Sequence, residues 1–177
     1  MKWFRDLFGG SEMAALSVGR TASDFTLETV DGKKFNLREA LARGPVVAAF
    51  FKVSCPTCQY ALPFLERLYQ AYRDNNVTLV GVSQNSKADT TAFARQFGVT
   101  FPILLDDTHT YPVSNAYGLT NVPTIFLIAQ DGEIEVSSVG WVKSDFERIN
   151  RAMAEQSKAI PAAVFRPGED IRDFRAG

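Results

Sequence analysis

At 177 residues, 46% of them hydrophobic and 22% charged, the chain has the size and composition of one globular domain with a substantial core. A formal net charge of −1 gives no reason to expect nucleic-acid binding, which needs a concentrated basic face, and no stretch approaches the ~20 apolar residues of a membrane span. Two cysteines in a chain of this length do not make a disulfide framework, so they do not substitute for a small core.

The opening MKWFRDLFGG carries Lys2, Arg5 and Asp6 among its apolar residues, and residues 13–16 are too short for the apolar region of a signal peptide. Trp3, Phe4, Leu7 and Phe8 would share one helical face, lying on a membrane surface or packed on the body of the protein. The expected location is the cytoplasm, where a permanent structural disulfide is not expected. Three parts are expected: an extension over 1–19, one domain over 20–156 and a C-terminal arm over 157–177.

Along the domain, DFTLETVDGKKFNL reads as a β-hairpin: Phe25 and Leu27 alternate, Asp31 and Gly32 turn, and Phe35 and Leu37 resume. PVVAAFF, 45–51, is a continuous apolar run suited to a strand covered on both faces. From Cys55 the spacing becomes helical, with Ala61, Leu65, Leu68, Tyr69 and Tyr72 on one stripe. Pro63 falls inside that helix, where a kink is expected. VTLVGVS, 77–83, is a second buried strand; Ser86 and Asp89 form a capping-box pattern for a helix that Gly98 ends. FPILLDD, 101–107, reads as a further strand. Residues 124–130 and 133–139 flank Asp131 and Gly132 as an antiparallel hairpin, and Ser144 with Glu147 caps a last helix over roughly 144–156. Strands alternating with helices, then a closing hairpin and helix, imply an α/β fold with a central mixed sheet flanked by helices. The tail is either an extended arm laid over the body, toward which the spacing of Val164, Phe165, Ile171 and Phe174 leans, or partly mobile.

The two cysteines sit where a strand feeds a helix. Cys55 then falls at the helix N-terminus, where unpaired N–H groups and the macrodipole favour a thiolate. Cys58 lies one turn further in and more enclosed. The asymmetry assigns Cys55 as the nucleophile and Cys58 as the resolving thiol of a redox pair. Pro56 suits the first helical turn because it needs no N–H partner there.

In this arrangement the segment ASDFTLETVDGKKFNLREALARGPVVAAFFKVSCPTCQYALPFLERL resembles the start of a TlpA/ResA-type thioredoxin-like protein, a CxxC-type redoxin related to the AhpC/TSA group. LVGVSQNSKADTTAFARQFGVTFPILLDD is similar to the βα insertion of that family, and YGLTNVPTIFLIAQDGEI to the segment bearing its cis-proline. The resemblance covers roughly residues 20–155 and implies a thioredoxin-like fold with an N-terminal hairpin. It also implies a cis Val122–Pro123 bond beside Cys55, with Val122, Pro123 and Thr124 meeting a substrate polypeptide as an added strand would. The implied activity is thiol–disulfide exchange through Cys55-Pro56-Thr57-Cys58, with disulfide-bearing proteins as substrates and a thiol protein as reductant. No cofactor beyond the Cys55–Cys58 pair is implied. In a reducing cytoplasm the pair would rest as a dithiol and act as a reductase.

Four positions depart from the family. Ser54 stands where tryptophan is common. Ala49 and Ala61 stand where thioredoxin has a buried aspartate and ResA-like proteins a buried glutamate, either of which can take the proton of the resolving thiol. Cys58 is therefore expected to lose its proton to water or to the leaving thiolate, and exchange to be slow. Lys52, three residues before Cys55, either lowers the pKa of Cys55 by its charge or points to solvent. His109, the only histidine, reads as a surface-loop residue, and Gln59 and Tyr60 as rim residues of the first turn. Two other functions remain in view. A peroxiredoxin-like peroxidase needs Thr or Ser three residues before its cysteine, but Lys52 and Cys55 occupy those places. An interaction module with a vestigial CxxC would keep the fold without the chemistry. A tetrahedral metal site wants four ligands, against Cys55, Cys58 and His109.

Overall fold

The computed structural model describes residues 14–177; the apolar face of Trp3, Phe4, Leu7 and Phe8 lies outside the described residues. The first hairpin is β1 (Thr26–Thr29) and β2 (Lys34–Asn36), antiparallel and turned at Gly32 with φ 84°. Asn36 then caps a short helix, α1 (Leu37–Leu41), by accepting the Glu39 N–H at 2.9 Å. The expectation that Leu37 prolongs the strand is corrected here: an Asx side chain that can close a helical turn ends the strand first.

β3 (Val46–Phe51) is buried along its whole length. It leads to α2 (Pro56–Tyr72), which runs uninterrupted past Pro63, and then to β4 (Thr78–Ser83), parallel to β3. α3 (Lys87–Phe97) opens on Ser86, whose Oγ accepts the Asp89 N–H at 3.1 Å, and closes on Gly98 in the left-handed region at φ 66°. β5 (Ile103–Leu105) is shorter than the apolar run predicts and pairs parallel with β4 and antiparallel with β1. After it comes α4 (Pro112–Ala116), an unpredicted single turn. β6 (Thr124–Ile128) and β7 (Ile134–Val139) form the second hairpin. A two-residue strand, β8 (Trp141–Val142), runs straight into α5 (Lys143–Gln156). The capping box expected of Ser144 and Glu147 is not formed. Lys143 already opens the helix, its N–H donating to Asp173 O at 2.9 Å, so Ser144 lies inside the first turn.

The sheet order is β2-β1-β5-β4-β3-β6-β7. Because side chains alternate along a strand, β3 supplies both faces. Val47, Ala49 and Phe51 meet α2 and α5, whereas Val46, Ala48 and Phe50 meet α1 and the Val113–Tyr117 turn. The arm returns over the first face. Val164 is buried, Phe165 meets Trp141 edge to face and packs tilted on Phe146, and Arg67 holds Glu169 through two bonds of 2.6 and 2.8 Å. Its end, β9 (Phe174–Arg175), pairs antiparallel with β8.

Candidate active site

The centre of β3 carries the chain to the edge where Cys55 begins α2. Cys55 is the N-cap, in extended conformation at φ −84° and ψ 116°, and its Sγ accepts the Cys58 N–H at 3.1 Å. Sulfur thus occupies the position a serine or aspartate oxygen takes at a helix start, facing the positive end of a 17-residue helix. The approach is fixed from both sides: Val53 N–H donates to Asn85 Oδ1 at 2.9 Å, and Gln59 Nε2 donates to Val53 O at 3.0 Å.

Across from it, the Val122–Pro123 peptide is cis. Thr124 Oγ1 donates to Asn121 O at 2.7 Å and Gly140 N–H to Pro123 O at 2.7 Å, so the loop is pinned on both flanks. The Cys55 thiol donates to Val122 O at 3.2 Å. Two sequence-distant elements therefore converge on one sulfur. Cys55, Cys58 and Val122 are brought together with the cis Pro123 behind them, whereas the expectation that Thr124 meets a substrate is corrected: it is fully buried in β6 between β3 and β7.

Cys58 is fully buried among apolar side chains. That burial, and secondarily its hydrogen bond with Cys55, pushes its thiol far above the ordinary range. Ala49 and Ala61 are both fully enclosed, so the two places where a carboxylate would act hold methyl groups. Both cysteines are free thiols.

Lys52 stands apart from this group. Its side chain is exposed, and its ammonium lies 5.8 Å from the centre of the Tyr111 ring, a cation–π arrangement. It borders a polar cleft of about 220 Å³ beside Val122, lined also by Gln84, Ser114 and Asn121. His109 is exposed in a loop ordered by Asp107, which accepts the His109 and Thr110 N–H groups. Among the described residues, no cluster of three or more His, Cys, Asp or Glu side chains is placed to hold a metal, and no helix is long and apolar enough to cross a membrane.

Sequence reasoning missed the contribution of the arm. Thr57 Oγ1 donates to Ala176 O at 2.6 Å, the Arg175 guanidinium lies 4.7 Å from the Tyr60 ring centre, and Asn121 Nδ2 donates to Gly177 O at 3.3 Å. Val164, Phe165 and Ile171 lie on the body as their spacing predicts, but Phe174 is corrected: it is exposed, and no sequence pattern signals where the arm's end is carried.

A dithiol at the start of the helix after a central strand, faced by a cis-proline loop, defines a thioredoxin-like redox protein. Solved structures agree on the fold. A putative protein disulfide isomerase from Bacteroides thetaiotaomicron superposes with a TM-score of 0.74 at 24% identity, covering 81% of this chain and 91% of that one. A putative thiol:disulfide interchange protein DsbE from Chlorobium tepidum gives 0.69 at 23%, covering 80% and 99%. The chain belongs to the AhpC/TSA family, whose model matches residues 18–137. Within it the relatives are of ResA type. The thiol-disulfide oxidoreductase ResA of Geobacillus thermodenitrificans is 34% identical over 136 residues, 76% of each chain. The ResA of Bacillus subtilis is 30% identical over 132 residues, 74% of this chain and 71% of its own. With this site and these relatives, the chain is a thioredoxin-like thiol–disulfide oxidoreductase of the TlpA/ResA type.

Proposed function

We propose that this oxidoreductase works as a reductase of protein disulfides, with Cys55 as nucleophile and Cys58 as resolving thiol. The Cys55 thiolate attacks one sulfur of the substrate disulfide. A mixed disulfide forms and the first substrate thiolate leaves, taking up a proton. Cys58 then gives up its proton and attacks Cys55 Sγ, releasing the second substrate sulfur as a thiol. Two electrons pass to the substrate and the enzyme is left with a Cys55–Cys58 disulfide. A thiol protein of the same chemistry returns the dithiol, and the cysteine pair itself is the redox group. The setting we propose is a reducing compartment such as the cytoplasm, where the dithiol form predominates.

The observation that carries this reading is the convergence on Cys55 Sγ of the Cys58 amide and the Val122 carbonyl. The amide stays in place to stabilise the thiolate once the proton leaves. The backbone at Val122 lies alongside, supporting a substrate bound as an extended strand, whereas Thr124 is enclosed between β3 and β7. Lys52, paired with Tyr111, contributes at the rim of the cleft. A peroxidase reading finds no hydroxyl three residues before Cys55, since Lys52 stands there.

The test is reduction of insulin with dithiothreitol as donor, alongside trapping. Cys55→Ser is expected to abolish turnover. Cys58→Ser is expected to accumulate mixed disulfides on Cys55. Full turnover by Cys55→Ser, or no reversible dithiol couple in the intact protein, would overturn the reading.

A further inference from the structure

The end of the arm runs over the place where a substrate polypeptide is proposed to lie. Its backbone is bound at successive residues. Arg172 N–H donates to Tyr60 Oη at 3.0 Å, and Arg172 O accepts from Trp141 Nε1 at 2.6 Å. Asp173 O accepts from Lys143 N–H, and residues 174 and 175 pair with β8. Ala176 O accepts from Thr57 Oγ1 and Gly177 O from Asn121 Nδ2. Thr57 lies between the two active-site cysteines and is only 6% exposed, its hydroxyl bound to the arm.

Close approach supports the same conclusion. A Cβ added at Gly140, where φ is 77°, would stand 2.4 Å from Arg175 O. A Cβ added at Gly177 would stand 2.5 Å from Val122 O, the same carbonyl that accepts the Cys55 thiol. At both crossings the two backbones are too close for any side chain but hydrogen.

We propose that residues 174–177 occupy the substrate-peptide groove as an internal strand, so that a protein substrate must displace them before its disulfide reaches Cys55. This rests on the reductase reading given above. The arm is built to open at this end alone. Its base is fastened by buried Val164, by Phe165 within the aromatic cluster and by the Arg67–Glu169 pair. Its tip presents Phe174 at 62% exposure and is held by hydrogen bonds and one stacked guanidinium, the kind of contact that opens locally without global unfolding. A groove closed by its own strand lowers apparent affinity by the closed fraction. A small disulfide needs no strand-like seat and pays little of that penalty.

The experiment compares the intact chain with a variant lacking 174–177 and with Arg175→Ala, each folded by circular dichroism. Two substrates are used: insulin, and the small disulfide 5,5′-dithiobis(2-nitrobenzoate). Removal of the tip is expected to raise kcat/KM for insulin about tenfold, as a groove closed nine-tenths of the time requires, mainly through KM. Exchange with the small disulfide should change less than about twofold, a rise confined to substrates that need the groove. Arg175→Ala should move insulin the same way by a smaller factor, and it decides the matter where the shortened chain does not fold. Unchanged insulin kinetics in both variants, with small-disulfide exchange intact, would overturn the proposal. A fall for insulin would also overturn it, because the arm would then be part of the substrate's seat. Absence of exchange with either substrate in the intact chain would instead overturn the reductase reading.

Discussion

At the scale of single residues, the two thiols differ in surroundings more than in position. Cys58 is enclosed by apolar side chains that penalise its charged form. The folded protein therefore keeps this proton to a higher pH than the unfolded chain, whose thiol titrates near its ordinary value of 9.0. Stability from this group is complete below pH 9 and declines as pH rises above it, by about 1.4 kcal/mol per pH unit. Denaturant melts of the reduced protein and of Cys58→Ala, compared between pH 8 and 10.5, should converge by that slope; parallel curves would refute it. In the exchange proposed above, the same burial opposes proton removal from Cys58. Ala61→Glu, placing a carboxylate three residues after Cys58, should speed resolution of a preformed mixed disulfide on the order of a hundredfold. It should also cost on the order of 2–3 kcal/mol of stability, because the side chain enters a filled core. Single-turnover kinetics and urea melts check the two effects separately.

At the scale of elements, local signals with a physical mechanism were the legible ones. The wholly apolar run of β3, the Asp31–Gly32 and Asp131–Gly132 turns, and the Ser86 cap with Gly98 behind it each dictate a local geometry, and each formed. Ser86→Ala should remove about 1 kcal/mol, read as a fall in the urea midpoint with unchanged slope; no shift would mean that packing alone holds α3. The short helices were not legible, because five residues offer barely one turn of periodicity. α4 begins after Tyr111 in the left-handed region at φ 46° and ψ 50°, a conformation no propensity of tyrosine announces. Its N-terminus is fixed from elsewhere, by buried Asp106 accepting the Ser114 N–H at 2.8 Å. The capping box expected at Ser144 failed for the complementary reason. A backbone carbonyl from the arm, Asp173 O, takes the amide at the start of α5, and sequence spacing cannot see a partner that distant. In the candidate site, the CxxC and the Val122-Pro123-Thr124 segment were legible as motifs, whereas the coverage of Thr57 depends on where the arm is carried.

At the scale of the whole molecule, the arm's base and α2 are coupled by one ion pair. Arg67 beside it holds the Glu169 carboxyl down to about 2. A carboxyl held below its ordinary 4.5 contributes its full stabilisation above that pH and loses it as pH falls toward 2. The thermal midpoint of Glu169→Gln should lie below that of the native chain at pH 7, and the two should draw together between pH 4.5 and 2. A gap unchanged over that range would show that the pair holds nothing.

The position of Gly177 has a consequence for anything joined to it. Its carbonyl is bound by Asn121 beside the cis-proline, so a tag, a fusion partner or a following segment would leave the protein at the mouth of the catalytic cleft. A cysteine-bearing module attached there would meet Cys55 at an effective concentration in the millimolar range. Such a fusion would turn a bimolecular exchange into a self-addressed one, whose preferred partner sulfur is its own passenger's. The choice of where a label is joined is, for this protein, a choice of substrate.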